Sequence, residues 1–106
     1  MAAILFVRVK SDVETEELDR RMAERLPRFK EVPGLVQKVY GRSEETGDTC
    51  GIYFFESREA LDAFRETELA KTIPTAYEAT EVRPEIYEFL YPLREDRGPL
   101  PGSAPG

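Results

Sequence analysis

The chain has no histidine in its 106 residues, and that absence excludes more chemistry than any motif present supplies. Ser-His-Asp and Cys-His catalysis are ruled out, together with every histidine-bearing metal site. A single cysteine, Cys50, removes thiolate-rich zinc sites and any intrachain disulfide framework. It suits a reducing compartment, and the cytoplasm is the expected location. No acidic spacing resembles a calcium loop, so no metal is expected. Acid–base work is left to Asp, Glu, Lys, Tyr, the lone Cys or a bound water. No apolar run approaches the ~20 residues that span a bilayer. The opening Met1-Ala-Ala-Ile-Leu-Phe-Val-Arg8 lacks the basic leader and cleavage pattern of a signal peptide, so no membrane partner is expected. Basic residues nowhere cluster, and a net charge of −6 argues against nucleic acid.

What is present, 41% apolar and 34% charged residues, fits one globular domain. The segment Cys50-Gly-Ile-Tyr-Phe-Phe55 reads as a strand with two apolar faces, Ile52 and Phe54 against Tyr53 and Phe55. Strands expected over 2–10 and 86–91 share that property. In the first, Leu5, Val7 and Val9 oppose Ile4, Phe6 and Arg8. Leu18, Met22, Leu26 and Phe29 recur at three- and four-residue spacing, predicting an amphipathic helix of about four turns. Ser11 and Asp12 are its candidate caps. After Pro33-Gly34, a strand over 35–42 sets Leu35, Gln37 and Val39 against Val36, Lys38 and Tyr40. The polar turn at 44–49, with Gly47 free to take positive φ, joins it to 50–55 as a hairpin. Ser57 caps a second helix that buries Ala60, Leu61 and Phe64. The stretch 67–77 is less regular, with Pro74 expected to stop a helix and leave a loop or a short extra turn, and Pro84 is expected at the entrance of the last strand. The domain is assigned to 1–92, and the Pro/Gly-rich tail 93–106 is expected to be disordered.

The order βαββαβ, with right-handed crossovers, places both helices on one face of a four-stranded antiparallel sheet whose centre is strands one and three. That is a ferredoxin-like α+β fold. The uncovered face carries one residue set from each strand: Phe6, Tyr53 or Phe54, and Tyr87 or Ile86. Such a face exceeds what a lone soluble chain usually exposes. Covering ~700 Å² per subunit at ~25 cal/mol per Å² is worth roughly 15 kcal/mol before association costs. A homodimer through the sheet faces is therefore expected.

Val32-Pro-Gly-Leu35, Lys38-Val-Tyr40, Glu45-Thr-Gly47 and Gly51-Ile-Tyr-Phe-Phe-Glu56, followed by Ala60 and Phe64, resemble the YdhR-like family of proposed monooxygenases. That family lies in the dimeric α/β-barrel superfamily, and the resemblance covers roughly residues 2–91. It implies a pocket between sheet and helices or at the barrel mouth. It also implies cofactor-independent oxygenation of a small aromatic or phenolic compound. The chain departs from the family where Gln37 and Tyr40 stand in place of a tryptophan in strand two. It departs from haem-degrading relatives at Glu66-Thr-Glu-Leu-Ala70, where their histidine ligand would fall.

Candidate catalytic residues are Arg8, Lys38 and Tyr40. The basic pair would hold an anionic substrate or an enolate-like carbanion, with Tyr40 or Tyr53 as hydrogen-bonding group. If exposed, the same charges solubilise the sheet. Tyr53, Phe55, Phe64 and Tyr87 are candidate ligand-binding residues, and equally candidates for simple core or dimer packing. Cys50 reads as a small packing residue, because no histidine can lower its pKa. No cofactor is expected. A non-catalytic small-molecule-binding homodimer, or an isomerase or lyase of a small organic acid, remains open beside the oxygenase reading.

Overall fold

Alternation along the central strands decides the layering of the computed structural model, which describes residues 1–101. In β1 (Ala3–Ser11) the buried residues are Ala3, Leu5, Val7 and Val9. In β3 (Thr49–Phe55) they are Thr49, Gly51, Tyr53 and Phe55. These residues form the floor on which the helices pack. The sheet order is β2-β3-β1-β4, every neighbour antiparallel, with β2 at Leu35–Arg42 and β4 at Ala79–Glu88. The fold is the ferredoxin-like βαββαβ arrangement.

Helix α1 (Thr15–Lys30) buries Leu18 and Phe29 against this floor. Its start differs from expectation. Glu14 is the cap residue and gives no side-chain bond. Ser11 Oγ instead accepts from the Val13 N–H (3.1 Å) and donates to the Tyr77 carbonyl (2.6 Å), tying the end of β1 to a distant loop. Leu26, expected on the buried stripe, is 37% exposed, and Arg25 is half-buried in its stead. Helix α2 (Arg58–Arg65) starts as expected, with Ser57 Oγ accepting from the Ala60 N–H at 3.0 Å. It buries Leu61 and Phe64.

The stretch 67–77 folds into two short helices, α3 (Glu68–Lys71) and α4 (Ile73–Ala76). Pro74 lies in the first turn of α4, where a missing N–H leaves no bond unmade, so it begins a helix rather than stopping one. Leu69, Ile73 and Tyr77, spaced four apart, are the buried residues of this segment. The last strand also differs from expectation. It begins at Ala79 and ends at Glu88, and Pro84 stands within it opposite Val7. An edge strand tolerates proline because one row of its N–H groups has no ladder partner. Residues 93–101 contain no helix or strand, and 102–106, the end of the expected tail, lie outside the described residues.

The other sheet face carries no helix. Register places Val39, Ile52, Phe6 and Glu85 in one row across it, and Gln37, Phe54, Ile4 and Tyr87 in the next. Val39 is 46% and Tyr87 51% exposed there.

Candidate active site

Lys38 reaches the helix-covered side of the sheet because β2 carries a register shift between Leu35 and Gln37. Strict alternation would send Leu35 and Lys38 to opposite faces. The extra residue lets Leu35 pair with Phe55 and Lys38 with Tyr53, so both turn inward. Tyr40 follows inward opposite Gly51. A methyl group on Gly51 would stand 3.0 Å from Tyr53 Cε1 and 3.1 Å from Lys38 Cε, closer than ordinary contact, so glycine eases the passage of the lysine stem here.

The Lys38 amine ends in an aromatic cage. Its Nζ lies 3.5 Å from the Phe29 ring centroid, 4.3 Å from Tyr40 and 4.4 Å from Tyr53. No ion pair reaches it among the described residues. Burial, with a smaller contribution from the neighbouring Arg25 charge, lowers its pKa from 10.5 to about 7. The ring faces attract the ammonium and oppose that trend. Burial likewise pushes the Tyr40 phenol up to about 12, and raises those of Tyr53 and Tyr77. All three hydroxyls therefore remain protonated near neutrality.

Arg25 packs its guanidinium against the same cluster, 5.8 Å from the Phe29 centroid and 5.6 Å from that of Tyr77. Its Nη2 donates to the Leu69 carbonyl at 2.7 Å and to Thr72 Oγ1 at 3.3 Å. Its Nε is buried without a hydrogen-bond partner, and the guanidinium approaches the Tyr77 hydroxyl, where it opposes the rise that burial gives that phenol's pKa.

Two spaces meet at this cluster and a third lies beside them. A chamber of about 20 Å³ is lined by Val7, Met22, Lys38, Tyr40, Tyr53 and Tyr77, among others. Lys38 and Tyr40 also line a cleft of about 240 Å³ with Leu26, Phe29, Leu35 and Val36. Val7 and Ile73 divide the chamber from an apolar slot of about 190 Å³ bounded by Phe64, Pro74 and Pro84.

Of the residues singled out from sequence, Lys38, Tyr40 and Tyr53 come together here. Phe55 and Phe64 pack behind Tyr53, with centroid separations of 6.2 Å and 5.2 Å. Phe55 is wholly buried and borders none of these spaces, whereas Phe64 forms a wall of the slot. Arg8 and Tyr87 stand elsewhere. With Val7 and Val9 under the helices, alternation sends Arg8 to the open face between Cys50 and Arg83. Tyr87 joins it on that face, where its hydroxyl bonds to Glu85. Strand parity therefore keeps Arg8 and Tyr87 apart from Lys38 within one chain.

Sequence reasoning missed Arg25 and Tyr77. Both had a signal. Leu18, Met22, Arg25 and Phe29 follow a four-three-four spacing that puts Arg25 on the buried stripe, and Leu69, Ile73 and Tyr77 repeat every fourth residue.

The model of the family described as "Putative mono-oxygenase ydhR" matches residues 4–96. No curated protein matches the chain by sequence. Among solved structures, the fold is similar to SnoaB, a cofactor-independent oxygenase from Streptomyces nogalater, with a TM-score of 0.72 and 14% identity over 87% of this chain and 96% of that one. It is similar to a protein from Nitrosomonas europaea described as a putative antibiotic biosynthesis monooxygenase, with a TM-score of 0.71 and 18% identity over 86% and 92% of the two chains. A dimeric ferredoxin-like protein of unknown function from Jannaschia sp. CCS1 gives a TM-score of 0.67 and 16% identity over 84% of this chain and 100% of that one. No helix among the described residues is long and apolar enough to cross a membrane.

Proposed function

The chain belongs to the ydhR mono-oxygenase family, and we propose that it oxygenates a small aromatic or phenolic compound without a cofactor. One observation carries this reading: a lysine amine enclosed by three rings, with no carboxylate paired to it among the described residues and a second cation, Arg25, beside it. A caged amine of pKa about 7 is neutral often enough at physiological pH to take a proton from a phenol or an activated C–H. Once protonated, it holds the resulting anion together with Arg25. The aromatic walls accept the flat face of a ring, and a cleft of about 240 Å³ admits a compound of one or two rings.

The substrate anion then supplies the electrons. It gives one electron to dioxygen, and the radical pair joins to form a C–O bond. Loss of water from the peroxide leaves a carbonyl on the ring. The second oxygen atom departs in that water, so no external reductant is required.

The open sheet face supports a homodimer. Val39, Ile52, Phe6, Phe54, Ile4 and Tyr87 form an uncovered apolar surface, and one structural neighbour is described as dimeric.

Oxygen consumption with a panel of phenols and anthrones tests the activity. Uptake above background, falling about 100-fold or more in Lys38→Met, is the expected result. Background uptake across the panel refutes the oxygenase and leaves a non-catalytic binding dimer. Turnover of a small acid that continues without oxygen would instead assign an isomerase or lyase.

A further inference from the structure

We propose that the apolar slot of about 190 Å³ over β1 and β4 is a second binding site, which takes an amphiphilic anion: a short acyl chain in the slot, ending in a carboxylate held at Arg65 and Lys71. This site does not depend on the oxygenase reading, and Lys38 does not line it.

Strand register builds its floor. Leu5 and Val7 of β1 face the helices, and Pro84 of the edge strand β4 lies directly opposite Val7. Helix α2 packs on β1 and β3, α4 packs on β4, and the slot is the gap left between them. Phe64 from α2, Ala70 from α3 and Ile73 from α4 form its walls. Every lining side chain other than Arg65 and Lys71 is apolar. One water needs about 10–15 Å³, so the slot has room for a chain of several methylenes.

The charge at its border has one sign. Two cations line the slot and no carboxylate does. Arg65 makes no ion pair among the described residues. Lys71 Nζ reaches only Glu66, at 3.4 Å, and both of those side chains are mostly exposed. A contact of that kind holds weakly and exchanges readily for another carboxylate. An alkyl ammonium would meet two like charges here. A neutral alkane or alcohol would use the floor and leave the cations idle, and a small inorganic anion would gain nothing from the floor. A chain with an acidic end uses both.

Val7 and Ile73 stand between this slot and the chamber beside Lys38, so an occupant here is held without the caged amine.

Isothermal titration of the full chain with octanoate, 1-octanol and octylammonium tests the site. Octanoate should bind saturably and about tenfold or more tighter than either of the others. Affinity should climb from butanoate to octanoate by up to about fourfold per methylene. Replacing both exposed cations, Arg65→Gln with Lys71→Gln, should weaken octanoate about tenfold and leave octanol unchanged. Ala70→Leu, which extends into the slot, should weaken both, with unchanged thermal unfolding certifying the fold. Lys38→Met should leave octanoate affinity as it is. The absence of saturable octanoate binding overturns the proposal, as does octanol or octylammonium bound equally well. So does an affinity indifferent to chain length or to loss of both cations. Octanoate binding lost in Lys38→Met alone would move the acid to the cleft beside Tyr40 and overturn it too.

Discussion

Replacing Lys38 by methionine should make the protein more stable, and by an amount that depends on pH. The folded chain holds the Lys38 amine at a pKa of about 7 against 10.5 for an ordinary lysine. Each pKa unit corresponds to ~1.4 kcal/mol, so carrying the ammonium in its cage costs at most about 5 kcal/mol. Between pH 7 and 10.5 the unfolded chain binds more protons at this position than the folded one. Wild-type stability therefore rises with pH across that window, by up to ~1.4 kcal/mol per unit, and the penalty is fully present below it. Methionine keeps an unbranched stem among Phe29, Tyr40 and Tyr53, and its sulfur is favourable beside rings. It loses the attraction between cation and rings, worth roughly 2 kcal/mol when desolvated.

The expected gain for Lys38→Met is thus at most about 3 kcal/mol at pH 6, shrinking towards zero or below by pH 10. Urea unfolding at a fixed protein concentration, run from pH 6 to 10 with an unchanged m-value, measures it. Tyr40, Tyr53 and Tyr77 are common to both chains and drop out of the difference. Wild-type and variant curves that run parallel with pH would show an amine titrating as it does in water. The caged base, and the reading built on it, would then fall.

Gly51→Ala pushes a methyl against the Lys38 stem and the Tyr53 ring, and should cost ~1–3 kcal/mol by thermal unfolding; an unchanged Tm would mean the crossing is loose. Leu61→Ala empties a fully buried position under α2 and should cost ~2–5 kcal/mol in urea. Val39→Glu places a charge on the open sheet face, where the residue is 46% exposed in the single chain. Sedimentation should show the wild type as a dimer and this variant as a folded single subunit at the same concentration; a wild type that runs as a single subunit would refute the sheet-face dimer, and a variant that still dimerises would move the interface elsewhere.

The layering was legible because it depends on period alone. Leu5, Val7 and Val9 against Phe6 and Arg8, and Tyr53 and Phe55 against Ile52 and Phe54, are settled by alternation once both helices lie on one side. Ser57 and Leu61 were readable for the same reason, since cap chemistry and helical spacing act within a few residues. Where periodicity was interrupted, legibility ended. Strict alternation in β2 grouped Leu35 with Gln37 and Val39, and nothing in Leu35-Val-Gln-Lys38 announces that a residue will bulge out. Pro84 suggested the start of a strand because proline is unwelcome in a ladder, yet an edge position accepts it in mid-strand. Arg25 was overlooked because a charged residue was read as surface even though its spacing placed it inside.

Those interruptions coincide with the site. The bulge after Leu35 turns Lys38 inward, Gly51 leaves the gap through which its stem passes, and the Pro74 helix brings Tyr77 under the sheet. Remove any one, and the amine, its space or its facing hydroxyl is lost while the four strands remain. A sequence optimised for stability alone would fill Gly51 with a β-branched residue and place leucine at 25 and 38. Two half-buried cations with no paired carboxylate among the described residues are a standing cost that hydrophobic burial at Leu5, Phe55, Leu61 and Phe64 must offset. The combination makes physical sense if a negative charge enters the cage during function, because the same cations that weaken the empty fold then hold that charge away from water.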